Sequence, residues 1–86
     1  MIVRWKPRAL KDLDKTTREV REKIESAIDQ FAEAETGDVR HLVNSRPPRY
    51  RLRVGTWRVI FIRGDAAVGK QIVILRVLPR DKAYRS

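Results

Sequence analysis

Residues 49–61 read RYRLRVGTWRVIF, and this stretch limits the fold more than any other. Arg49, Arg51 and Arg53 recur at every second position, the period at which β-strand side chains share one face. Tyr50, Leu52 and Val54 then occupy the other face. Gly55-Thr56 reads as a two-residue type II′ turn, with glycine at the first central position. That turn pairs Val54 with Trp57, Leu52 with Val59 and Tyr50 with Phe61, giving one apolar face across a hairpin. It also sets Arg53 opposite Arg58, and like charges facing each other across a sheet are unfavourable. Arginines gathered this way point to an anionic ligand. Because Arg58 lies off the apolar face, its removal is expected to leave the fold intact.

The remaining elements follow from period and punctuation. Ile2–Trp5 is a short strand. Pro7 suits the first turn of a helix running to about Lys15, with Ala9, Leu10 and Leu13 buried. Thr16-Thr17-Arg18-Glu19 reads as a capping box with Thr16 as N-cap. Val20, Ile24, Ala27, Ile28, Phe31 and Ala34 then form one apolar stripe on a second helix. Arg18/Glu22, Glu19/Lys23 and Arg21/Glu25 pair at i,i+4 on its outer side. Gly37 closes it at C′. Residues 38–48, DVRHLVNSRPP, read as a loop, since Pro47-Pro48 cannot join a ladder. The hairpin strands span 49–54 and 57–62. RGDAAVGK leads into a last strand, Gln71 to Leu78, apolar enough to be covered on both sides and so interior to the sheet. The fold class is α+β in the order β-α-α-β-β-β, with two helices packed on a mainly antiparallel four-stranded sheet. Residues 1–86 make a single domain.

Composition narrows the function. The chain has no cysteine and one histidine, which excludes disulfides and thiolate or His-cluster metal sites. No apolar run of membrane-spanning length occurs, and residues 1–10, with charges at Arg4, Lys6 and Arg8, lack the apolar stretch a signal peptide needs, so the expected compartment is cytoplasmic. The net charge of +9 is unevenly placed: residues 1–38 carry −1 and residues 39–86 carry +10. A polyanionic partner is implied, nucleic acid before an acidic protein.

GDAAVGK, residues 64–70, approaches the P-loop pattern but has Gln71 where the magnesium-binding hydroxyl belongs, and a strand where a helix should follow. It is a hairpin loop. His41 reads as a surface residue of the loop, and Trp5 and Trp57 as core. Tyr84 stands beyond the last strand among Arg80, Lys82 and Arg85, where no apolar pattern calls for it.

The constellation is therefore Arg51, Arg53, Arg58, Arg80, Lys82 and Tyr84, with Arg49 and Arg76 as further phosphate-binding positions and no carboxylate in view. Such a set suits phosphate chemistry, because cations stabilise a pentavalent phosphorane and a leaving alkoxide. RNA brings its own nucleophile, the 2′-hydroxyl, so no cofactor or metal is required. Tyr84 and Lys82 are the groups able to move protons.

At these residues the sequence resembles the RelE/ParE superfamily of bacterial type II toxins. The likeness spans A-L-K-D-L-D-K, V-R-E-K-I, Y-R-L-R-V-G-T-W-R-V-I-F and I-L-R-V-L-P-R-D-K-A-Y-R, and so nearly the whole chain. It implies a toxin domain silenced in a hetero-oligomer with a cognate antitoxin. In the RelE branch it implies a metal-independent endoribonuclease, an mRNA interferase that cuts mRNA in the 70S ribosomal A site and leaves a 2′,3′-cyclic phosphate. Carried over by position, Arg51 and Arg53 fall where the enzymes have lysines, and Arg58, Arg80 and Tyr84 match basic and tyrosine positions of the active site. The arginines are poor proton acceptors, so the base lies between Lys82 and Tyr84. The ParE branch, non-enzymatic inhibitors of DNA gyrase, is the alternative, with a basic nucleic-acid-binding module as a third; Arg58, Arg80 and Tyr84 together favour the RelE branch. The antitoxin is expected to be an acidic, amphipathic segment competing for the arginine face.

Overall fold

A computed structural model describes residues 1–66 and 69–83. The elements in chain order are β1 (Ile2–Trp5), α1 (Pro7–Asp14), α2 (Arg18–Ala34), β2 (Asp38–His41), β3 (Arg49–Val54), β4 (Trp57–Ala66), β5 (Gly69–Pro79) and α3 (Arg80–Ala83). The strands form one sheet in the order β1-β5-β4-β3-β2. All neighbours are antiparallel except β1 and β5, which run parallel from Ile2↔Gln71 to Trp5↔Ile74. The fold is α+β, with α1 and α2 on one face of a mixed sheet.

The hairpin forms in the register its alternation predicts: Val54↔Trp57, Arg53↔Arg58, Leu52↔Val59 and Tyr50↔Phe61. Gly55 carries a positive φ of 59° and Thr56 does not, as a type II′ turn requires. Leu52, Val59, Phe61, Ile72, Ile74 and Val77 face the helices and pack with Ala9, Leu13, Ile24, Ile28, Phe31 and Ala32. Trp5 and Trp57 pack against this core from its margin. Burying each of these larger side chains contributes about 1.5–3 kcal/mol.

Several expectations shift. The sheet has five strands, because residues 38–41 leave the expected loop and pair with β3 from Asp38↔Arg53 to His41↔Tyr50. One apolar residue, Val39, among charged neighbours conceals this edge strand; charged edges deter pairing with other chains. The second helix is capped by Thr17, whose Oγ1 accepts the Val20 N–H at 3.2 Å. Thr16 is unavailable for this, since its buried hydroxyl donates to the Leu13 carbonyl at 2.6 Å and closes α1. Ala32 takes the last buried position of α2, continuing the four-residue spacing from Ile24 and Ile28, while Ala34 is exposed. Leu10, expected inside, is 46% exposed. Glu35 forms the left-handed cap at φ 54°, its N–H bonded to the Phe31 carbonyl.

β4 and β5 run further than expected, through Gly64↔Gln71, Asp65↔Lys70 and Ala66↔Gly69, so the P-loop look-alike is strand on both sides. β5 is interior, between β1 and β4. Its register slips once: Ile60 pairs with Arg76 but Phe61 with Ile74, leaving Leu75 as an extra residue. The bulge reverses the alternation, so Ile72 and Ile74 face the helices and so does Val77, three residues on. On the opposite face Ile60, Leu78 and Ala83 form a second, smaller cluster with Leu42 and Leu75. Among the described residues no helix is long and apolar enough to cross a membrane.

Candidate anion-binding face

The face turned away from α1 and α2 carries the arginines. β3 and β4 present Arg53 beside Arg58, Arg51 beside Ile60 and Arg49 beside Ile62. On the other side of β3, the edge strand adds Asp38 beside Arg53 and Arg40 beside Arg51. The short helix α3 joins them. The Arg80 N–H donates to the Thr56 carbonyl at 2.9 Å, which ties α3 to the hairpin turn. Ala83 is buried with Ile60 and Leu78, which seats α3 on this face. Arg80 and Lys82 are both exposed.

The cross-strand Arg53/Arg58 conflict is settled by divergence. Arg58 folds back on its own turn, and its Nη1 donates to the carbonyls of Gly55 and Trp57, both at 2.8 Å. It is only 3% exposed, and its buried Nε has no hydrogen-bond partner. Arg53 turns the other way, its Nη1 3.8 Å from Oδ2 of Asp38, and stays half exposed. Arg51, buried, places Nη2 3.4 Å from Oδ1 of the same carboxylate. One aspartate thus lies between two arginines.

The predicted site residues separate into groups. Arg51, Arg53 and Arg58 are together on adjacent strands, with Arg49 one pair further along. α3 carries Arg80 to the hairpin turn, whereas Lys82 lies on the α1 side of β5, beside Asp12, Lys15, Trp57 and Arg76. Arg76 is held elsewhere: its guanidinium is bound by Asp12 of α1 through Nε at 2.7 Å and Nη2 at 3.2 Å. Tyr84 lies outside the described residues. Arg58, expected only to lie off the apolar face, is buried and hydrogen-bonded to the carbonyls of its own turn.

Asp38 is the residue that sequence reasoning missed. Among the described strand residues it is the only acid on this face. The available signal was the D-V-R-H alternation after Gly37, which aligns Asp38 and Arg40 on one side of a short strand.

The fold agrees with what comparison with known proteins finds. The family model of the ParE toxin of type II toxin–antitoxin systems matches residues 3–84. The chain belongs to that family, within the RelE/ParE superfamily. Among solved structures it is similar to a RelB–RelE antitoxin–toxin complex from Methanococcus jannaschii, at 23% identity and TM-score 0.72, covering 95% of each chain. An archaeal RelE–RelB complex from Pyrococcus horikoshii OT3 is 25% identical, with TM-score 0.70, covering 92% of this chain and 93% of the other. A YoeB/ParE toxin from Agrobacterium tumefaciens has TM-score 0.75 at 14% identity, covering 92% and 98%. No significant match was found among curated proteins.

Proposed function

We propose that this toxin is a ribosome-dependent mRNA endoribonuclease of the RelE type, acting in the cytoplasm and silenced by a cognate antitoxin. The observation that carries the reading is the convergence of β3 and β4, which gathers Arg49, Arg51, Arg53 and Arg58 on one face, with Arg80 of α3 tied to the hairpin turn beside them. Arg53 and Arg80 are exposed and meet the phosphate first. Arg51 and Arg58 supply fixed positive charge from behind them, in a medium less polarisable than water where charge acts more strongly.

In the reaction the 2′-oxygen attacks phosphorus and the P–O5′ bond breaks, leaving a 2′,3′-cyclic phosphate and a 5′-hydroxyl. The 2′-hydroxyl proton passes to a base and the 5′-oxygen takes one up, with Lys82 and Tyr84 as the groups for these transfers. The antitoxin partner is supported by the RelB–RelE complexes among the structural relatives.

A second reading, a non-enzymatic gyrase inhibitor, is supported by the ParE family model and by Arg58, whose Nη1 is occupied by turn carbonyls. Cell-free translation of a defined mRNA, run beside a gyrase supercoiling assay, separates the two. Ribosome-programmed cleavage ending in a cyclic phosphate supports the nuclease. Arrested supercoiling with intact mRNA supports the inhibitor.

A further inference from the structure

Asp38 stands among arginines that its own strand and two others bring together. The two ion pairs it makes are longer than the others among the described residues, which include an exposed Arg18–Glu22 pair at 3.1 Å. Asp12–Arg76 and Glu35–Arg63 close to 2.7 and 2.6 Å, within the range of strong charge-assisted hydrogen bonds. Asp38 approaches Arg51 at 3.4 Å and Arg53 at 3.8 Å, one carboxylate oxygen toward each guanidinium. Its side chain is 49% exposed, so solvent and solutes reach it. The contact is loose and open to exchange.

The geometry resembles a carboxylate holding the place of a bound oxyanion. Each oxygen faces a different arginine, as two oxygens of one phosphate would. Without an anion, Arg51 and Arg53 would repel each other on the same side of β3, with Arg58 adding to the repulsion from β4. With the carboxylate present, both guanidinium groups stay turned toward one point between β2 and β3.

We infer that Asp38 is a built-in competitor of the bound anion, keeping Arg51 and Arg53 converged in the empty protein and giving way when a phosphate takes its place. This rests on the reading of the face as an anion site. The consequence is a raised threshold for binding. A phosphate must outcompete an internal carboxylate, so weak or isolated anions bind poorly. A nucleic-acid backbone that also engages Arg49 and Arg80 stays bound through those further contacts. Asp38 therefore lowers affinity for every phosphate ligand by about the same factor, so that an isolated anion falls below useful affinity while a polynucleotide with further contacts stays bound.

The test compares wild type with Asp38→Asn, which keeps shape and removes charge. Binding of two probes, inorganic pyrophosphate and a single-stranded 12-nucleotide RNA, is measured by calorimetry and fluorescence anisotropy across a salt series. Asp38→Asn is expected to tighten pyrophosphate on the order of tenfold, the scale of one nearby like charge at a partly screened surface. RNA should tighten by a similar factor, since both probes displace the same carboxylate. Asp38→Ser, with a smaller neutral side chain, should behave alike, and thermal melts of both confirm folding. Unchanged or weaker pyrophosphate binding in the folded variants overturns the inference, as does failure of every form to bind either probe. Translation arrest is scored separately. A wild type that tightens on Asp38→Asn yet never cleaves mRNA keeps the competitor and removes the nuclease reading.

Discussion

Asp12 and Arg76, 64 positions apart in sequence, are joined side by side, Nε to Oδ2 at 2.7 Å and Nη2 to Oδ1 at 3.2 Å. Oδ2 also accepts the backbone N–H of Val77 at 3.0 Å. The location explains the arrangement. β1 gives β5 its last partner at Ile74, so beyond that point β5 has an open edge. There α1 lies against β5, and the Asp12 carboxylate takes the N–H that a longer β1 would have taken. An ion pair between a helix and the bulged part of a strand thus finishes the sheet.

Asp12→Ala is accordingly expected to cost about 2–3 kcal/mol, below the 3–5 typical of a broken buried pair because Arg76 is 27% exposed. For a domain of this size that is a fall of roughly 10–20 °C in melting temperature. Circular dichroism melts measure it directly. A variant melting within a few degrees of wild type would mean that α1 is held by its apolar contacts alone.

The same pair sets a pH dependence. Burial pushes the Asp12 carboxyl up, but the Arg76 hydrogen bond, the Val77 N–H and the charges of Arg76 and Lys15 outweigh it, so the group sits below its ordinary value of 3.8. A carboxyl depressed in the folded state binds fewer protons there than in the unfolded chain. Its contribution is therefore complete above about pH 4 and is lost as pH falls through the folded-state value. Urea unfolding at a series of pH values should show stability declining below about pH 4, with a shallower decline in Asp12→Asn. Parallel acid profiles for the two proteins would contradict this.

What could be read from the chain, and what could not, follows from the range of the interactions. The 49–61 hairpin was legible to the register because alternation and a glycine turn are local. The stripe Ile24, Ile28, Phe31 was legible for the same reason. β2 was not, since a four-residue edge strand with one apolar side chain takes its identity from β3 and not from its own pattern. Asp38 was lost with it. Arg76 looked like one more basic residue until α1 supplied its partner. Arg58 looked solvent-facing because period two assigns a face but cannot show a side chain folding back onto its turn.

Gly37 carries a prediction of its own. It was expected to end α2, yet it lies past the Glu35 cap, at φ 148°, where a Cβ would meet Leu52 Cδ1 at 2.8 Å. Leu52 is 2% exposed, so the neighbour has little room to move. Gly37→Ala should cost about 1–3 kcal/mol from strain and overpacking together. Gly64→Ala, with its nearest atom at 3.9 Å and no positive φ, is the control and should stay within about 1 kcal/mol. Equal melts for the two variants would remove the steric account.

Arg58→Ala is expected to destabilise by about 1–3 kcal/mol, since the Gly55 and Trp57 carbonyls lose their donor within a buried turn. Arg53→Ala, at a half-exposed position, should change stability by no more than about 0.5 kcal/mol. Loss of toxicity in Arg58→Ala therefore has to be read beside a denaturation curve. Stability matching wild type would show that the turn does not need this guanidinium.

The arginines can finally be sorted by salt. Each phosphate contact to single-stranded RNA contributes about 0.7 to the slope of log affinity against log salt, through release of a bound counterion. Arg53 is exposed on the proposed face and Arg80 is exposed at the hairpin turn beside it, so Arg53→Gln and Arg80→Gln should each flatten that slope by roughly this amount with little change in melting temperature. Arg76 is engaged by Asp12 at two points, leaving its charge balanced where it stands. Arg76→Gln should lower the melting temperature and leave the slope as it was. Anisotropy titrations of a 12-nucleotide RNA between 50 and 300 mM salt, with melts of the same preparations, give both quantities. A flattened slope in Arg76→Gln at unchanged stability would mean that Arg76 leaves Asp12 to bind phosphate, and the anionic face would then have to extend across β5.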